Sequence, residues 1–354
     1  MQRTGTEPLR AELGPFIARI AFGESLSMDE AEHAFGLIME GRATPVQIAG
    51  LLVALRVRGE TAAEIAGGVR ALRRAMIPVA APEGTTVIDT CGTGGGTVRT
   101  FNISTAAAFI AAGAGIVVAK HGNRSFTSRC GSADVLEAMG VPIEIPTAAM
   151  ADVLREAGIV FMFAPLLHPA MRHATPVRRE LGLPTVFNLL GPLTNPAGAR
   201  RQVVGVADPR LVPLIAEALL ELGHERALVV HGEPGLDELS PLGMSEGFEI
   251  RDGQIRPFRF DPAERLGWRY RVEELAGGEP HENARIIEGI LQGRRDGGAR
   301  AAAVLNAGAA LYVAGLADDI EDAVLEAERV LDSGAAYDAL ERLRRAARRA
   351  AGAG

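Results

Sequence analysis

Three polar segments of the sequence carry residue types that suit the binding of a phosphorylated ligand. The first, "CGTGGGTVRTFNIST" over residues 91–105, is rich in glycine and ends in amide and hydroxyl side chains. The second, "KHGNRSFTSRCGSAD" over 120–134, combines cations with hydroxyls, and the third, "HGEPGLDELS" over 231–240, carries two adjacent carboxylates. Glycine lets a backbone approach a ligand closely, and free N–H groups at a helix start attract anions. We therefore expect an anion-binding site.

The two common nucleotide-binding motifs do not fit the first segment. A Walker loop requires Gly-Lys followed by Ser or Thr, and no lysine lies near Gly96. The dinucleotide fingerprint G-x-G-x-x-G would need glycine in place of Thr97 or Arg99, depending on its start. Taken alone, the run is equally compatible with a tight strand-to-helix turn. Because the second segment is also rich in hydroxyls and also leads into a helical pattern, the pair favours an extended polyphosphate.

The third segment predicts a metal site. Asp237 and Glu238 follow the apolar run "RALVV", with Ser240 beside them. Mg²⁺ prefers hard oxygen ligands and commonly takes one or two carboxylates together with the phosphates of a substrate. An isolated Asp-Glu pair is more often an exposed acidic turn. The two phosphate-binding segments reverse that preference here.

A fourth segment, "HPAMRHATPVRRELG" over 168–182, is basic and helical in its middle. It contains His168, Arg172, His173, Arg178 and Arg179. Arginine at a cleft binds a carboxylate through two parallel hydrogen bonds, although an exposed arginine or a satisfied histidine remains the alternative at each position. His168 and His173 are five positions apart, which does not match the i, i+4 spacing of a helical zinc site.

Two groups of elements must position these segments. Up to about residue 80, apolar residues at helical spacing predict about four helices, with capping residues at Ser27, Thr44 and Thr61. From Thr86 on, short β-branched runs alternate with helical patterns, which predicts an α/β domain with a mainly parallel sheet. The predicted strands are "TVIDTCGTGG", "GIVVAKHGN", "VPIEI", "IVFMFAP", "PTVFNLLGP", "RQVVGVA" and "RALVVHG", and the polar "EGFEIRDGQIRPFRFDP" predicts an edge hairpin. Ligands of such sheets bind beyond the carboxyl ends of the strands, where the polar segments fall.

Composition narrows the class of protein. A chain of 354 residues is long enough for two domains, and a net charge of −7 disfavours a general nucleic-acid binder. Two cysteines 39 positions apart indicate neither a disulfide framework nor a cysteine zinc site, which suits a cytoplasmic protein. The first residues show no export signal, and the twenty uncharged residues before Lys120 predict a buried helix, a turn and a strand rather than a membrane span. The basic end "ERLRRAARRAAGAG" predicts a solvated, fraying helix.

The motifs together resemble one family. "DTCGTGGGTVRTFNIST", "VAKHGNRSFTSRCGSADVLEAMGV", "HPAMRHATPVRRELGLPTVFNLLGPLTNP", "VVHGEPGLDELSPLG" and "LNAGAALYVAG" are similar, in the same order, to motifs of the anthranilate phosphoribosyltransferases of tryptophan biosynthesis. The resemblance implies transfer of phosphoribose from phosphoribosyl pyrophosphate (PRPP) to the amine of anthranilate, with release of pyrophosphate and with Mg²⁺, two ions when substrate is bound. It also implies a homodimer formed through the helical part.

The fold implied by the resemblance is a small helical domain plus a larger α/β domain with a mainly parallel central sheet, the architecture of class II phosphoribosyltransferases and nucleoside phosphorylases. The helical domain, on the anthranilate side, would cover residues 1–82 plus about 166–184. The α/β domain, which would bind PRPP and Mg²⁺, would cover 83–165 and 185–354.

Site residues follow from the same resemblance. PRPP would contact Gly92, Gly95, Gly96, Thr100, Asn102, Ile103, Ser104, Thr105, Lys120, His121, Gly122, Asn123, Arg124, Ser125, Phe126, Thr127, Ser128 and Ser132. Anthranilate would contact Gly92, Asn123 and Arg178, and the metal ligands would be Ser104, Asp237 and Glu238. Lys120 and Arg124 would neutralise the leaving pyrophosphate. Because the aryl amine of anthranilate is already neutral at pH 7, no general base is assigned.

Two departures from the family pattern are visible. Gly96 stands where the family usually has aspartate, which affects how a second Mg²⁺ would be held. Residues 126–128, "FTS", are bulkier than the small residues expected in that loop. Two alternatives share the architecture: a pyrimidine nucleoside phosphorylase, which "KHGNR" and "RRELG" disfavour, and a non-enzymatic nucleic-acid-binding relative, which the net charge and the carboxylate pair disfavour.

Overall fold

A computed structural model describes residues 12–125 and 129–352. The chain begins with four helices, α1 Gly14–Ala21, α2 Met28–Met39, α3 Pro45–Arg58 and α4 Ala62–Ala75. Ser27, Thr44 and Thr61 each accept a hydrogen bond from the backbone N–H three residues on, and the Glu or Gln side chain there bonds back. These reciprocal bonds satisfy N–H groups that a helix start would otherwise leave unpaired. The predicted helices and their caps are therefore confirmed.

A seven-stranded sheet forms the centre of the rest of the chain. Its strands are β1 Val87–Gly92, β2 Val117–Gly122, β3 Ile159–Phe163, β4 Arg201–Gly205, β5 Arg226–Gly232, β6 Ser245–Arg251 and β7 Gln254–Phe260. Their order across the sheet is β3-β2-β1-β4-β5-β6-β7. The first five strands are parallel, and β6 and β7 are antiparallel to their neighbours and form the predicted hairpin. The prediction of a mainly parallel sheet is confirmed.

Helices fill the connections between the parallel strands and also follow the last strand, β7. They are α5 Ile103–Gly113, α6 Ser132–Ala138, α7 Met150–Ala157, α8 Ala164–Leu167, α9 Thr175–Leu181, α10 Phe187–Leu193, α11 Val212–Glu221, α12 Pro262–Arg265, α13 Pro280–Leu291, α14 Gly298–Ala314, α15 Ile320–Asp332 and α16 Ala335–Gly352. The uncharged run before Lys120 forms α5, a turn and β2, as predicted. Among the described residues, no helix is long and apolar enough to cross a membrane.

Two predicted strands are wrong. "PTVFNLLGP" forms α10, whose apolar side chains pack in the core of the helical part, because a short apolar run has no period that separates a strand from a buried helix. "VPIEI" is extended, and its Val141, Ile143 and Ile145 are buried, but it joins no sheet. Pro142 and Pro146 lack the N–H groups that a ladder needs.

The apolar side chains form two cores, one on each face of the sheet. One core joins α5, α13, α14, α15 and α16 to the sheet. The other joins the opposite sheet face and α11 to six further helices, α1–α4, α9 and α10. We call these six helices the helical group. The polar segments lie at one edge of this arrangement, where the parallel strands end.

The basic end of the chain differs from the solvated end that its composition predicts. Arg342 donates to the carbonyl of Ala157 (3.2 Å), and Arg344 donates to that of Met139 (2.6 Å). Both carbonyls lie at the ends of helices, α7 and α6, where backbone oxygens lack helical partners. The arginines of α16 therefore cap two other helices, and the last helix is docked.

Candidate active site

The first and third polar segments pack against each other where β1, β4 and β5 end. A Cβ atom on Gly92 would lie 2.3 Å from Asp237 Oδ2, and one on Gly205 would lie 1.7 Å from the Asp237 carbonyl oxygen. Only glycine permits such an approach. The Thr97 N–H also donates to the carbonyl of Gly235 (3.0 Å). The glycine-rich run is therefore the surface on which the acidic segment rests.

Backbone N–H groups hold both carboxylates of the acidic pair. Gly94 N–H donates to Asp237 Oδ2 (2.8 Å), and Ser104 N–H, at the start of α5, donates to Glu238 Oε1 (3.1 Å). Burial raises the pKa of Asp237, and burial together with the charge of Asp237 raises the pKa of Glu238. Both shifts mean that these surroundings disfavour the ionised form of the pair unless a cation is present.

Asn306, on α14, holds the acidic segment in place. Its side chain accepts from Leu239 N–H and donates to the Leu239 carbonyl, both at 2.9 Å, and it also donates to Ala302 within α14. Asn306 is the polar residue of "LNAGAALYVAG" and is 2% exposed. A buried amide with all these bonds holds the residue after Glu238 in one position.

Lys120 lies beneath the site rather than facing it. It is 4% exposed, and its Nζ donates to the Thr90 carbonyl (2.6 Å) and to Ser104 Oγ (3.2 Å). The ammonium group therefore orients the hydroxyl that is a predicted metal ligand and places a positive charge under the start of α5. A planar guanidinium could not fit the same compact pair of bonds.

The second polar segment is organised by Asp134, which sequence reasoning did not single out. Its carboxylate accepts from the N–H groups of Ser125 (3.0 Å) and Gly131 (2.8 Å) and from Arg124 Nη1 (3.1 Å). Arg124 also donates to Glu137 (3.0 Å). Its guanidinium thus has two acidic partners, and its contact with pyrophosphate stays a prediction. The predicted contacts Phe126, Thr127 and Ser128 lie outside the described residues.

The remaining predicted PRPP contacts lie around these two segments. Asn102 precedes α5, and its side chain donates to the Cys130 carbonyl (3.1 Å), so it joins the first segment to the second. Ser132 Oγ donates to the carbonyl of Asn123 (3.3 Å). The other predicted contacts are in the glycine-rich run, on α5 or at the end of β2: Gly95, Gly96, Thr100, Ile103, Thr105, His121 and Gly122.

Arg178 belongs to the helical group. Its guanidinium lies over the Phe187 ring, 5.3 Å from the centroid, and its Nη2 donates to Asn188 Oδ1 (3.4 Å). Burial lowers the pKa of Arg178, and its side chain has no carboxylate among these contacts. An anionic substrate group would supply the missing charge.

Two histidines that the site prediction did not pair meet between the sheet and the helical group. His121 Nε2 and His168 Nε2 are 3.1 Å apart. Burial lowers the pKa of His121 to about 3 and that of His168 to about 4, so both rings are neutral near pH 7. The His121 ring also bonds the Gly191 carbonyl. No sequence signal links the two histidines, which are 47 positions apart.

The donor set fits Mg²⁺. Ser104 supplies a hydroxyl, and Asp237 and Glu238 supply carboxylates whose raised pKa values a bound cation would lower. Within the described ranges, no group of three His, Cys, Asp or Glu side chains forms a complete metal site. A metal bound to this pair would therefore complete its coordination with substrate oxygens or water. A separate cavity of about 520 Å³ lies between α2 and α4, and its lining includes none of these residues.

The fold and site define a class of glycosyl-transferring enzyme. A family model described as "Glycosyl transferase family, a/b domain" matches residues 84–337, and one described as "Glycosyl transferase family, helical bundle domain" matches 14–76. The chain is 55% identical over 338 residues to an anthranilate phosphoribosyltransferase of Rubrobacter xylanophilus, an alignment that covers 96% of this chain and 98% of that protein.

Solved structures agree with this class. The anthranilate phosphoribosyltransferase of Thermus thermophilus has a TM-score of 0.88 and 45% identity, over 94% of this chain and 99% of that one. The Saccharomyces cerevisiae enzyme in complex with PRPP and Mg has a TM-score of 0.86 and 27% identity, over 95% and 98%. A complex of the yeast enzyme with 4-fluoroanthranilate has a TM-score of 0.84 and 26% identity, over the same shares. The chain belongs to the anthranilate phosphoribosyltransferase family.

Proposed function

We propose that this protein transfers the 5-phosphoribosyl group of PRPP to the amine of anthranilate and releases pyrophosphate, the second step of tryptophan biosynthesis from chorismate. The observation that carries the proposal is the junction of the glycine-rich run, the start of α5 and the Asp237–Glu238 pair at the strand ends. Family membership supports the same reaction, because the yeast relative was solved in complex with PRPP and Mg.

In this proposal the protein binds and orients PRPP. Amide and hydroxyl side chains at the start of α5, together with the helix dipole there, receive phosphate oxygens, while Lys120 holds Ser104 in place. When bound, Mg²⁺ neutralises charge on the departing pyrophosphate. Arg178 binds the anthranilate carboxylate, and Asn123 orients the amine towards the ribose carbon. The catalysis is electrostatic and positional, with no general base.

We infer that two Mg²⁺ ions bind with PRPP and that glycine at position 96 weakens the binding of one of them. A Cβ atom on Gly96 would lie 3.0 Å from the Gly235 carbonyl oxygen, a tight contact, and 3.4 Å from Asp237 Oδ1, so an aspartate there would place a further carboxylate beside the acidic pair. The experiment therefore compares the wild-type protein with Gly96→Asp. We expect Gly96→Asp to change the Mg²⁺ concentration at half-maximal activity, and an unchanged Mg²⁺ profile would contradict this role of Gly96.

The homodimer is also a proposal. Phe22, after α1, and Val46 and Val57, on one face of α3, are 88%, 81% and 82% exposed. Large apolar side chains exposed on the same helical part of a protein are a feature of interfaces. The residues belong to the part of the chain that the resemblance assigns to dimerisation. A Val46→Asp/Val57→Asp variant should shift the protein towards a monomer in sedimentation, whereas an unchanged mass would refute this interface.

We also propose that the enzyme is cytoplasmic, because its two widely spaced cysteines suit a reducing compartment.

The test of function is the loss of anthranilate fluorescence on addition of PRPP over a series of Mg²⁺ concentrations. We expect anthranilate to be consumed in a Mg²⁺-dependent manner. Replacing both Asp237 and Glu238 by alanine should abolish most of this activity. Phosphorolysis of uridine or thymidine is the parallel assay for a nucleoside phosphorylase, and DNA binding is the assay for a nucleic-acid-binding relative. Failure to consume anthranilate at any Mg²⁺ concentration would overturn the proposal.

A further inference from the structure

The end of α10 is held by two side chains from outside the helix, one from strand β4 and one from helix α4. The carbonyl of Pro192 accepts from Gln202 Nε2 (2.8 Å), and that of Leu193 accepts from Arg73 Nη2 (2.8 Å). The preceding carbonyl, that of Gly191, accepts from the hydroxyl of Thr194 (3.0 Å). The last carbonyls of a helix have no partner within it. Here they serve as attachment points.

Gln202 belongs to a buried polar row that crosses three strands. It is 1% exposed on β4, where its Oε1 lies 3.0 Å from His224 Nε2 and its Nε2 lies 3.4 Å from the Asp89 carboxylate on β1. Asn195, also 1% exposed, donates to Asp89 (2.8 Å) and to the carbonyl of Ala119 on β2 (2.8 Å). The row therefore joins the segment that follows α10 to β1, β2 and β4.

The row lies on the sheet face that packs against the helical group. Apolar contact alone holds two surfaces together without fixing their relative position, because it has no direction. Hydrogen bonds between buried groups are directional, and a shift would leave them unpaired at a cost. The row thus sets where α10 sits on the sheet.

The other end of α10 supports Arg178. Asn188 Oδ1 accepts from Arg178 Nη2 and also from the N–H of Thr185 (3.0 Å), while Phe187 lies under the guanidinium. Both supports are in the first two residues of α10, a little over one turn before Pro192. A single short helix therefore connects Gln202 to the arginine.

We propose that Gln202 is a positioning residue for the carboxylate of the aromatic acceptor substrate: it fixes the end of α10 and thereby the place of Arg178 relative to the phosphate-binding segments. This inference rests on the proposed function. Gln202 acts through α10 and does not touch the substrate. Arg73 supports the same end of the helix from α4 through the Leu193 carbonyl.

The test compares Gln202→Met, which keeps the side-chain length but removes the donor, with Val324→Ala, a core change on α15 that is remote from α10. We expect Gln202→Met to raise KM for anthranilate roughly tenfold, about the effect of one lost hydrogen bond, with KM for PRPP within about twofold. Val324→Ala should lower the melting temperature without this split. Arg73→Met should act in the same direction as Gln202→Met, and it decides the matter if Gln202→Met does not fold.

A double-mutant cycle with Arg178→Ala tests whether the effect of Gln202 passes through Arg178. If Gln202 acts through Arg178, the rise in KM for anthranilate from Gln202→Met should largely disappear in the Arg178→Ala background. Equal changes in both KM values, an unchanged KM for anthranilate, or full additivity would overturn the inference. A wild-type protein that does not turn over anthranilate at all would instead refute the proposed function.

Discussion

The contact between Gly92 and Asp237 gives a prediction that can be worked from distances. In Gly92→Ala the new Cβ would lie 2.3 Å from Asp237 Oδ2 and 3.0 Å from its Cγ. Gly92 ends a strand and its φ is not positive, so alanine fits the backbone and the contact alone causes strain. Ordinary contact distances require the carboxylate to retreat by about 1 Å. That movement breaks the bond from Gly94 N–H.

Two effects should follow from Gly92→Ala. A lost hydrogen bond to a charged group corresponds to about 1.5–3 kcal/mol, so Mg²⁺-dependent activity should fall roughly ten- to hundredfold. Overpacking should destabilise the protein by about 1–3 kcal/mol, which lowers its melting temperature by several degrees. The assays are anthranilate fluorescence over a Mg²⁺ series and thermal unfolding without ligands.

Gly36→Ala is the matched control, because a Cβ there meets nothing within 4 Å and the residue lies inside α2. It should keep full activity and stabilise the protein by up to about 1 kcal/mol. Thermal unfolding without ligands separates the proposed contact from a clash with substrate, which would leave the free protein unchanged. Wild-type stability together with wild-type Mg²⁺ dependence in Gly92→Ala would refute the reasoning.

Three further predictions follow from the same geometry. Lys120→Arg and Lys120→Met should both lose most of the activity, because the bonds to Thr90 and Ser104 need a compact donor. Equal activity of Lys120→Arg and wild type would contradict this. Asp134→Asn should raise KM for PRPP about tenfold while leaving KM for anthranilate nearly unchanged, since it weakens the anchors at Ser125 and Gly131; steady-state kinetics with each substrate varied will decide. Burial lowers the pKa of His224 from 6.5 to about 4, so between these values the unfolded chain binds a proton that the folded chain does not. Stability should therefore fall by about 3 kcal/mol from this residue as pH drops from 6.5 to 4, and urea unfolding of His224→Asn should show a shallower pH slope than wild type.

The sequence predicts those parts of the fold that depend on local pattern. The strands β1 to β5 were recognisable because each is a β-branched run bounded by turn residues. The run that becomes α10 was misassigned because its apolar residues are buried on all sides, and tertiary packing decides its structure. Asp134 was missed although it stands three residues after Gly131, a position from which a carboxylate bonds back to a helix start.

Pairings between distant residues could not be predicted. The bonds from Gln202 to Pro192 and from Asn306 to Leu239 join different elements, and a single sequence carries no signal of such contacts. A polar residue within an otherwise apolar helix, such as Asn306 in α14, is at most a sign that some partner exists. The site list from the resemblance names residues around the ligand, whereas these residues hold that arrangement in place.

The charges near the strand ends explain why the proposed reaction needs a metal. Three carboxylates, those of Asp89, Asp237 and Glu238, interact electrostatically with one another or with Lys120. The guanidinium of Arg124 is engaged with Asp134 and Glu137. Burial raises the pKa of all three carboxylates, so ionising them here is unfavourable without a cation, and a pyrophosphate would add further negative charge. A divalent cation between the carboxylates and the phosphates turns both repulsions into attractions, and it does so in partly buried surroundings where screening by water is weak. The same acidic pair that would repel the substrate alone thus makes its binding depend on Mg²⁺.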